Sequence, residues 1–104
     1  MTRTCFVLKI RPGCIEEYEA RHAQVWPELV AAMRTAGIRN YSLFRRGLDV
    51  IGYAECDPDG ETAFRRTGAT DVDRRWSAWM DDVIETETDA VGDLLYAREI
   101  WHMD

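Results

Sequence analysis

Two apolar-rich stretches separated only by a tight turn constrain this chain more than anything else in it. Ile38 to Arg45 (IRNYSLFR) and Leu48 to Cys56 (LDVIGYAEC) are joined at Arg46-Gly47. Two β-prone runs linked by so few residues, one of them glycine, pair antiparallel as a hairpin. Everything before and after must then extend that hairpin or cover it. Thr4 to Ile10 (TCFVLKI) is short, β-branched and apolar, and predicts a strand ahead of it. Leu94 to His102 (LLYAREIWH) predicts a last strand behind it.

The intervening segments carry helical spacing. Ile15, Tyr18, His22 and Val25 fall on one face, with Glu16, Glu17, Glu19 and Arg21 on the others. Trp26-Pro27 interrupts that run, because proline lacks a backbone donor and disfavours helix in the residue before it. The expectation is one helix over about 13–23, a break at Val25-Trp26, and a second from Pro27, at home in a first turn, to Ala36. Gly37 supplies the C-cap. Asp57-Pro58-Asp59-Gly60 is a turn leading into a short helix, Glu61 to Arg66. Thr70 caps a further helix from Asp71 to about Ile84, with Val72, Trp76, Trp79, Met80 and Val83 on its apolar face. Glu85 to Asp93 reads as an acidic loop. The order β-α-β-β-α-β is that of a ferredoxin-like α+β fold, an antiparallel sheet with helices on one face. The other face stays open, and the supply of aromatics makes a second copy its expected cover, as a dimeric α+β barrel.

At 104 residues the chain is expected to form one domain, 1–104. Its net charge of −6 argues against nucleic acid or an anionic membrane as partner, since both require a basic surface. Arg45-Arg46, Arg65-Arg66 and Arg74-Arg75 are interleaved with acids and read as solvated faces. No stretch is long and apolar enough for a membrane span, and MTRTCFVLKIRP lacks the pattern of a signal peptide. Cys5, Cys14 and Cys56 are odd in number and lack C-x-x-C spacing, which fits a reducing cytoplasm rather than a disulfide framework or zinc site. There is no glycine-rich phosphate loop, G-x-S-x-G elbow or H-E-x-x-H. With only His22 and His102 present, a multi-histidine metal site within one chain is excluded.

What remains is a small acid–base set. His22 is the histidine inside a helical stripe, and imidazole suits reversible proton transfer near neutrality. Tyr18 lies on the same face one turn earlier, within reach of it. Tyr41 stands mid-strand, with Asn40 and Ser42 on the opposite face by alternation, and Trp76 is on a helix facing the sheet. Aromatic rings flanking a polar acid–base group suit a sugar, whose C–H surfaces pack on rings while hydroxyls take hydrogen bonds. The same residues also have plain readings: a partly buried helical histidine, tryptophan as core filling, tyrosine as a strand former.

Four strings together resemble the L-rhamnose mutarotase family over nearly the whole chain: RHAQVWPEL (Arg21 to Leu29), Gly37 with Asn40-Tyr41, TDVDRRWSAWM (Thr70 to Met80) and REIWHMD (Arg98 to Asp104). The resemblance implies an aldose 1-epimerase acting on a free 6-deoxy sugar, in a homodimeric ferredoxin-like fold, without metal or organic cofactor. It makes His22 the proton donor and Tyr18 and Tyr41 sugar-binding residues. The family's aromatic pair maps onto Trp76 and Ser77. Here the chain departs, because well-known members carry a second tryptophan where this one has Ser77, and that change bears on which sugar is taken. L-fucose and L-lyxose are therefore alternative substrates. Two further alternatives are an oxygen- or haem-using enzyme similar to the small dimeric monooxygenases of this fold, and a dimer module without catalysis.

Overall fold

The computed structural model describes residues 1–85 and 88–104. In chain order the elements are β1 (Thr2–Ile10), α1 (Ile15–His22), α2 (Pro27–Ala36), β2 (Ile38–Arg46), β3 (Asp49–Cys56), α3 (Gly60–Gly68), α4 (Asp71–Met80), β4 (Ile84–Glu85) and β5 (Leu95–Ala97). The sheet is antiparallel in the order β2-β3-β1-β4, with β5 also on β1. This is the ferredoxin-like arrangement expected from the order of periodicities. The central hairpin is present, its two-residue turn lying one position later, at Gly47-Leu48, between the paired Arg46 and Asp49.

Burial alternates along the two central strands. Thr4, Phe6 and Ile10 of β1 and Val50, Gly52, Ala54 and Cys56 of β3 are buried beneath the helices, while Arg3, Val7 and Lys9 lie on the open face. One cluster joins Ile10, Val50, Met80 and Val83 to Tyr18, and another joins Ile38, Ala54 and Cys56 to Ala63 of α3. Each fully buried side chain such as Ile10 or Met80 contributes about 1.5–3 kcal/mol of transfer free energy. Phe6 needs a bare partner: a Cβ on Gly52 would stand 2.2 Å from its ring.

The punctuation inferred from the sequence is observed. Trp26 is extended (φ −56°, ψ 128°), Pro27 opens α2, and Gly37 closes it in the left-handed region (φ 108°), donating to the carbonyls of Met33 and Arg34. The Thr70 hydroxyl accepts from the Asp73 amide at 3.3 Å and caps α4.

Two expectations fail at the end of the chain. Helix α4 stops at Met80 rather than near Ile84. Asp81 and Asp82 follow it, and negative charge is unfavourable at a helix C-terminus. The ladder with β1 then takes over, through Arg11 N–H to Val83 O at 2.8 Å and the pairing of Ile84 with Ile10. The last strand is also shorter than Leu94 to His102, because only Leu95–Ala97 pairs with β1. Beyond it the Arg3–Glu99 ion pair (2.8 Å) is a tie, and Ile100, Trp101 and Met103 are exposed. Strand-like alternation reports a preference, and the pairing stops at Cys5 although β1 continues back to Thr2. Of the acidic stretch 85–93, Glu85 belongs to β4, and residues 86–87 lie outside those described. The rest turns on Asp89, whose carboxylate accepts from the amides of Val91 and Asp93.

Candidate active site

The Trp26-Pro27 break does more than end a helix. Extended backbone at Trp26 drops its indole into a cluster, stacked on Trp79 (centroids 5.5 Å apart) and edge-on to Trp76 (5.1 Å). Trp76 in turn meets the His22 ring edge-on at 5.4 Å. The residue before His22 fixes this contact from the other side. Arg21 donates to both carboxylate oxygens of Asp82 (2.7 and 3.2 Å), to Glu17 (2.8 Å) and to the Trp79 carbonyl (2.6 Å). Its guanidinium also lies over the Trp79 ring at 4.9 Å. α1 is thus clamped to the C-terminal end of α4 at the turn that carries His22. The clamp raises the Arg21 pKa, chiefly through the Asp82 bond, and the same bond lowers that of Asp82.

His22 is held in one orientation. Its Nδ1 lies 2.9 Å from the Tyr18 carbonyl, which can only accept, so Nδ1 carries the hydrogen and Nε2 is left for a ligand. The Tyr18 ring lies against the imidazole, with centroids 4.3 Å apart.

Tyr41 reaches the same region through an irregularity. Arg39 pairs with Glu55 and Ser42 with Tyr53, so Asn40 and Tyr41 together oppose Ala54. This is a β-bulge, and Asn40 accommodates it at φ 48°, a conformation asparagine tolerates. The Asn40 amide bonds the Glu55 carboxylate at 2.8 Å, while Tyr41 turns toward the helices and packs on Phe6 and Phe64. Burial pushes the Tyr41 hydroxyl well above the usual phenol range, so it stays a hydrogen-bond donor at neutral pH.

These residues surround a cavity of about 960 Å³ between the sheet and helices α2, α3 and α4. His22, Tyr41, Trp76 and Ser77 all line it, so four of the five residues singled out in the sequence converge. Tyr18 does not. It is buried under His22 in the core, and borders a smaller cleft of about 250 Å³ that it shares with His22 and Leu43. Burial pushes its hydroxyl up to about 12. Sequence reasoning passed over several lining residues: Arg34, Arg39, Asp73 and Tyr96. Asp73 sits three residues after the Thr70 cap, the T-x-x-D spacing of an ordinary helix start, which hides it. At the rim, Arg65 makes two hydrogen bonds to Asp93, tying α3 to the segment ahead of β5. Among the described residues, no group of three or more His, Cys, Asp or Glu could hold a metal ion.

The lining offers one fixed imidazole, phenols that remain protonated, an indole and a carboxylate. That set can bind a small polyhydroxylated molecule and move a proton within it. The comparisons agree with this chemistry. Residues 3–103 match the family described as L-rhamnose mutarotase. The chain is 33% identical to the L-rhamnose mutarotase of Bacteroides thetaiotaomicron over 104 residues, the full length of both, and 33% identical to that of Shigella flexneri over 86% of each. In fold it is similar to a crystal structure of an L-rhamnose mutarotase from Formosa agariphila (TM-score 0.79, 21% identity, 98% of each chain). It is also similar in fold to the tetracenomycin F2 cyclase of Streptomyces glaucescens (TM-score 0.69, 16% identity, 98% of this chain and 96% of that one). With a match from the first strand to the last, the chain belongs to the L-rhamnose mutarotase family.

Proposed function

We propose that this protein interconverts the α and β anomers of L-rhamnose, with His22 carrying the proton. The observation that supports this most directly is the Nδ1–Tyr18 carbonyl bond, which leaves Nε2 as the ring atom available to a ligand. Anomers interconvert by ring opening. A base takes the proton of the C1 hydroxyl, the C1–ring oxygen bond breaks, and an acid protonates the ring oxygen. The aldehyde turns about C1–C2 and recloses on its other face. Protonated at Nε2, His22 is the acid for the ring oxygen and recovers that proton on closure. Tyr41 donates to a sugar hydroxyl, and Trp76 packs against the apolar side of the ring. Tyr18 acts beneath the imidazole, through its stacked ring and its carbonyl. Ser77, exposed on the same helix, borders the sugar and makes L-fucose or L-lyxose the second substrates to try.

The working unit in this proposal is a single domain paired with a second copy. The open sheet face presents Phe44 at 60% and Val7 at 41% exposure, apolar surface that a second sheet would cover. Three free thiols and a charge of −6 fit the cytoplasm. No helix among the described residues is long and apolar enough to cross a membrane.

The test is the anomeric exchange rate of L-rhamnose by saturation-transfer NMR. His22→Ala should lower the protein-dependent rate by about 10²–10⁴-fold, the usual share of positioned acid–base catalysis. Full activity in that variant would move the proton to another group.

A further inference from the structure

Asp73 is a half-buried carboxylate that no described residue holds. Its position as third residue of α4 suggests a capping box, in which the side chain would take the Thr70 amide. That amide instead donates to the Thr67 carbonyl at 3.0 Å. Among the described residues, no hydrogen bond or ion pair reaches the Asp73 carboxylate. No polar side-chain atom among them is sealed off without a partner, so its oxygens are open to the cavity it lines. Partial burial raises its pKa above the ordinary carboxylate range. Removing a carboxylate from water without a partner is costly, and a ligand in the cavity could supply the donors.

The surroundings specify which ligand. Trp76 and Ser77 lie three and four positions on, on the same face of α4, about 5–6 Å away between Cβ atoms. One face of one helix thus presents a carboxylate, an indole and a hydroxyl in a row to the cavity, with His22 edge-on to the indole. A lone carboxylate is a poor metal site, but its two acceptor oxygens suit two neighbouring hydroxyl donors. We propose that Asp73 binds the substrate by accepting hydrogen bonds from two adjacent sugar hydroxyls, and that with Ser77 it forms a polar wall selecting aldoses by hydroxyl pattern. This rests on the sugar reading of the cavity and adds a specificity residue to it.

The experiment compares wild type, Asp73→Asn and Asp73→Ala. Exchange rates are measured against concentration for L-rhamnose and for L-rhamnose analogues each lacking one ring hydroxyl. Sugar binding is measured separately by tryptophan fluorescence, and folding by circular dichroism. Wild type should lose at least tenfold in kcat/KM on the analogue lacking a hydroxyl that Asp73 holds. Asp73→Ala should lose about 10- to 100-fold on L-rhamnose, mostly in KM, as expected for hydrogen bonds to a charged group, and should no longer distinguish that analogue. Asp73→Asn should fall between the two. A KM for Asp73→Ala within twofold of wild type, or an equal loss on every sugar, would overturn the proposal. If wild type speeds no exchange yet binds rhamnose, and Asp73→Ala does not bind, then the mutarotase reading fails and Asp73 stands. If wild type does not bind sugar at all, both fall.

Discussion

Gly52→Ala should destabilise this protein, although the usual expectation is the opposite. Gly52 is buried mid-strand with no unusual backbone angle to protect, and alanine in such a place ordinarily adds about 0.4–1 kcal/mol by restricting the unfolded chain. Here the new methyl would lie 2.2, 2.3 and 2.8 Å from three atoms of the Phe6 ring, where ordinary contacts begin near 3.4 Å. The ring must move by more than 1 Å, either against its packed neighbours or into the cavity it lines. Phe64 stands against it at 5.4 Å and Tyr41 at 6.1 Å between centroids. Overpacking of this kind costs about 1–3 kcal/mol. Less the entropic gain, a net loss of about 1.3 kcal/mol remains at the middle of both ranges, or a Tm lower by roughly 5–10 °C for a domain of this size. Because Phe6, Phe64 and Tyr41 all line the cavity, exchange activity should fall as well. Thermal and urea unfolding of Gly52→Ala, Phe6→Leu and the double variant form a cycle. The double variant should be less destabilised than the sum of the singles by at least about 0.5 kcal/mol. A Tm unchanged or raised in Gly52→Ala, or strict additivity, would refute this account of the contact.

Other outcomes follow from the same geometry. Trp26→Ala removes the ring that backs Trp76 and should cost about 2–3 kcal/mol, less than the ~3–5 of a fully buried ring, with a parallel loss of exchange activity. Both are read from urea unfolding and NMR. Arg21→Met should destabilise at pH 7, and the gap from wild type should close on acidification. The folded pKa of Asp82 lies below its unfolded value, so the stabilisation is present above the ordinary carboxylate range and is lost as pH falls through the depressed value. Paired unfolding titrations from pH 7 to pH 3 would show it, and a constant gap would contradict it. With the Tyr18 hydroxyl near 12, the wild-type exchange rate should show no ionisation from this residue below pH 10, and Tyr18→Phe should leave the pH profile unshifted.

Much of the fold was legible because each signal was local. The hairpin around Gly47, the break at Trp26-Pro27 and the caps at Gly37 and Thr70 each follow from the backbone demands of one or two residues. Convergence of His22, Tyr41 and Trp76 was legible for a different reason, since helix and strand periods assign each to a face. What was not legible is tertiary. Whether Tyr18 points to the cavity or the core depends on a rotation of α1 that Arg21 sets through Asp82, sixty-one residues away. The Asn40 bulge, which aims Tyr41, leaves only the trace of an asparagine in a strand. Asp73 hid behind a helix-start spacing whose reciprocal bond, from the Thr70 amide to its carboxylate, is not made. The end of α4 was decided by the ladder with β1, a partner that periodicity cannot see, and the last strand stops pairing where its alternation gives no sign of it.

The broken edge strand has its own consequence. β4 and β5 occupy consecutive stretches of β1: Glu85 pairs with Lys9 and Leu95 with Val7, with only Leu8 between them. Residues 88–94 lie outside the strands of the sheet, between the two pieces in sequence, and Thr88, Gly92, Asp93 and Leu94 line the cavity. Each piece is pinned separately, so this segment can lengthen, shorten or change sequence while the scaffold stays put. It is the part of the molecule where evolution, or a designer grafting loops, can retune the substrate range at least risk to folding.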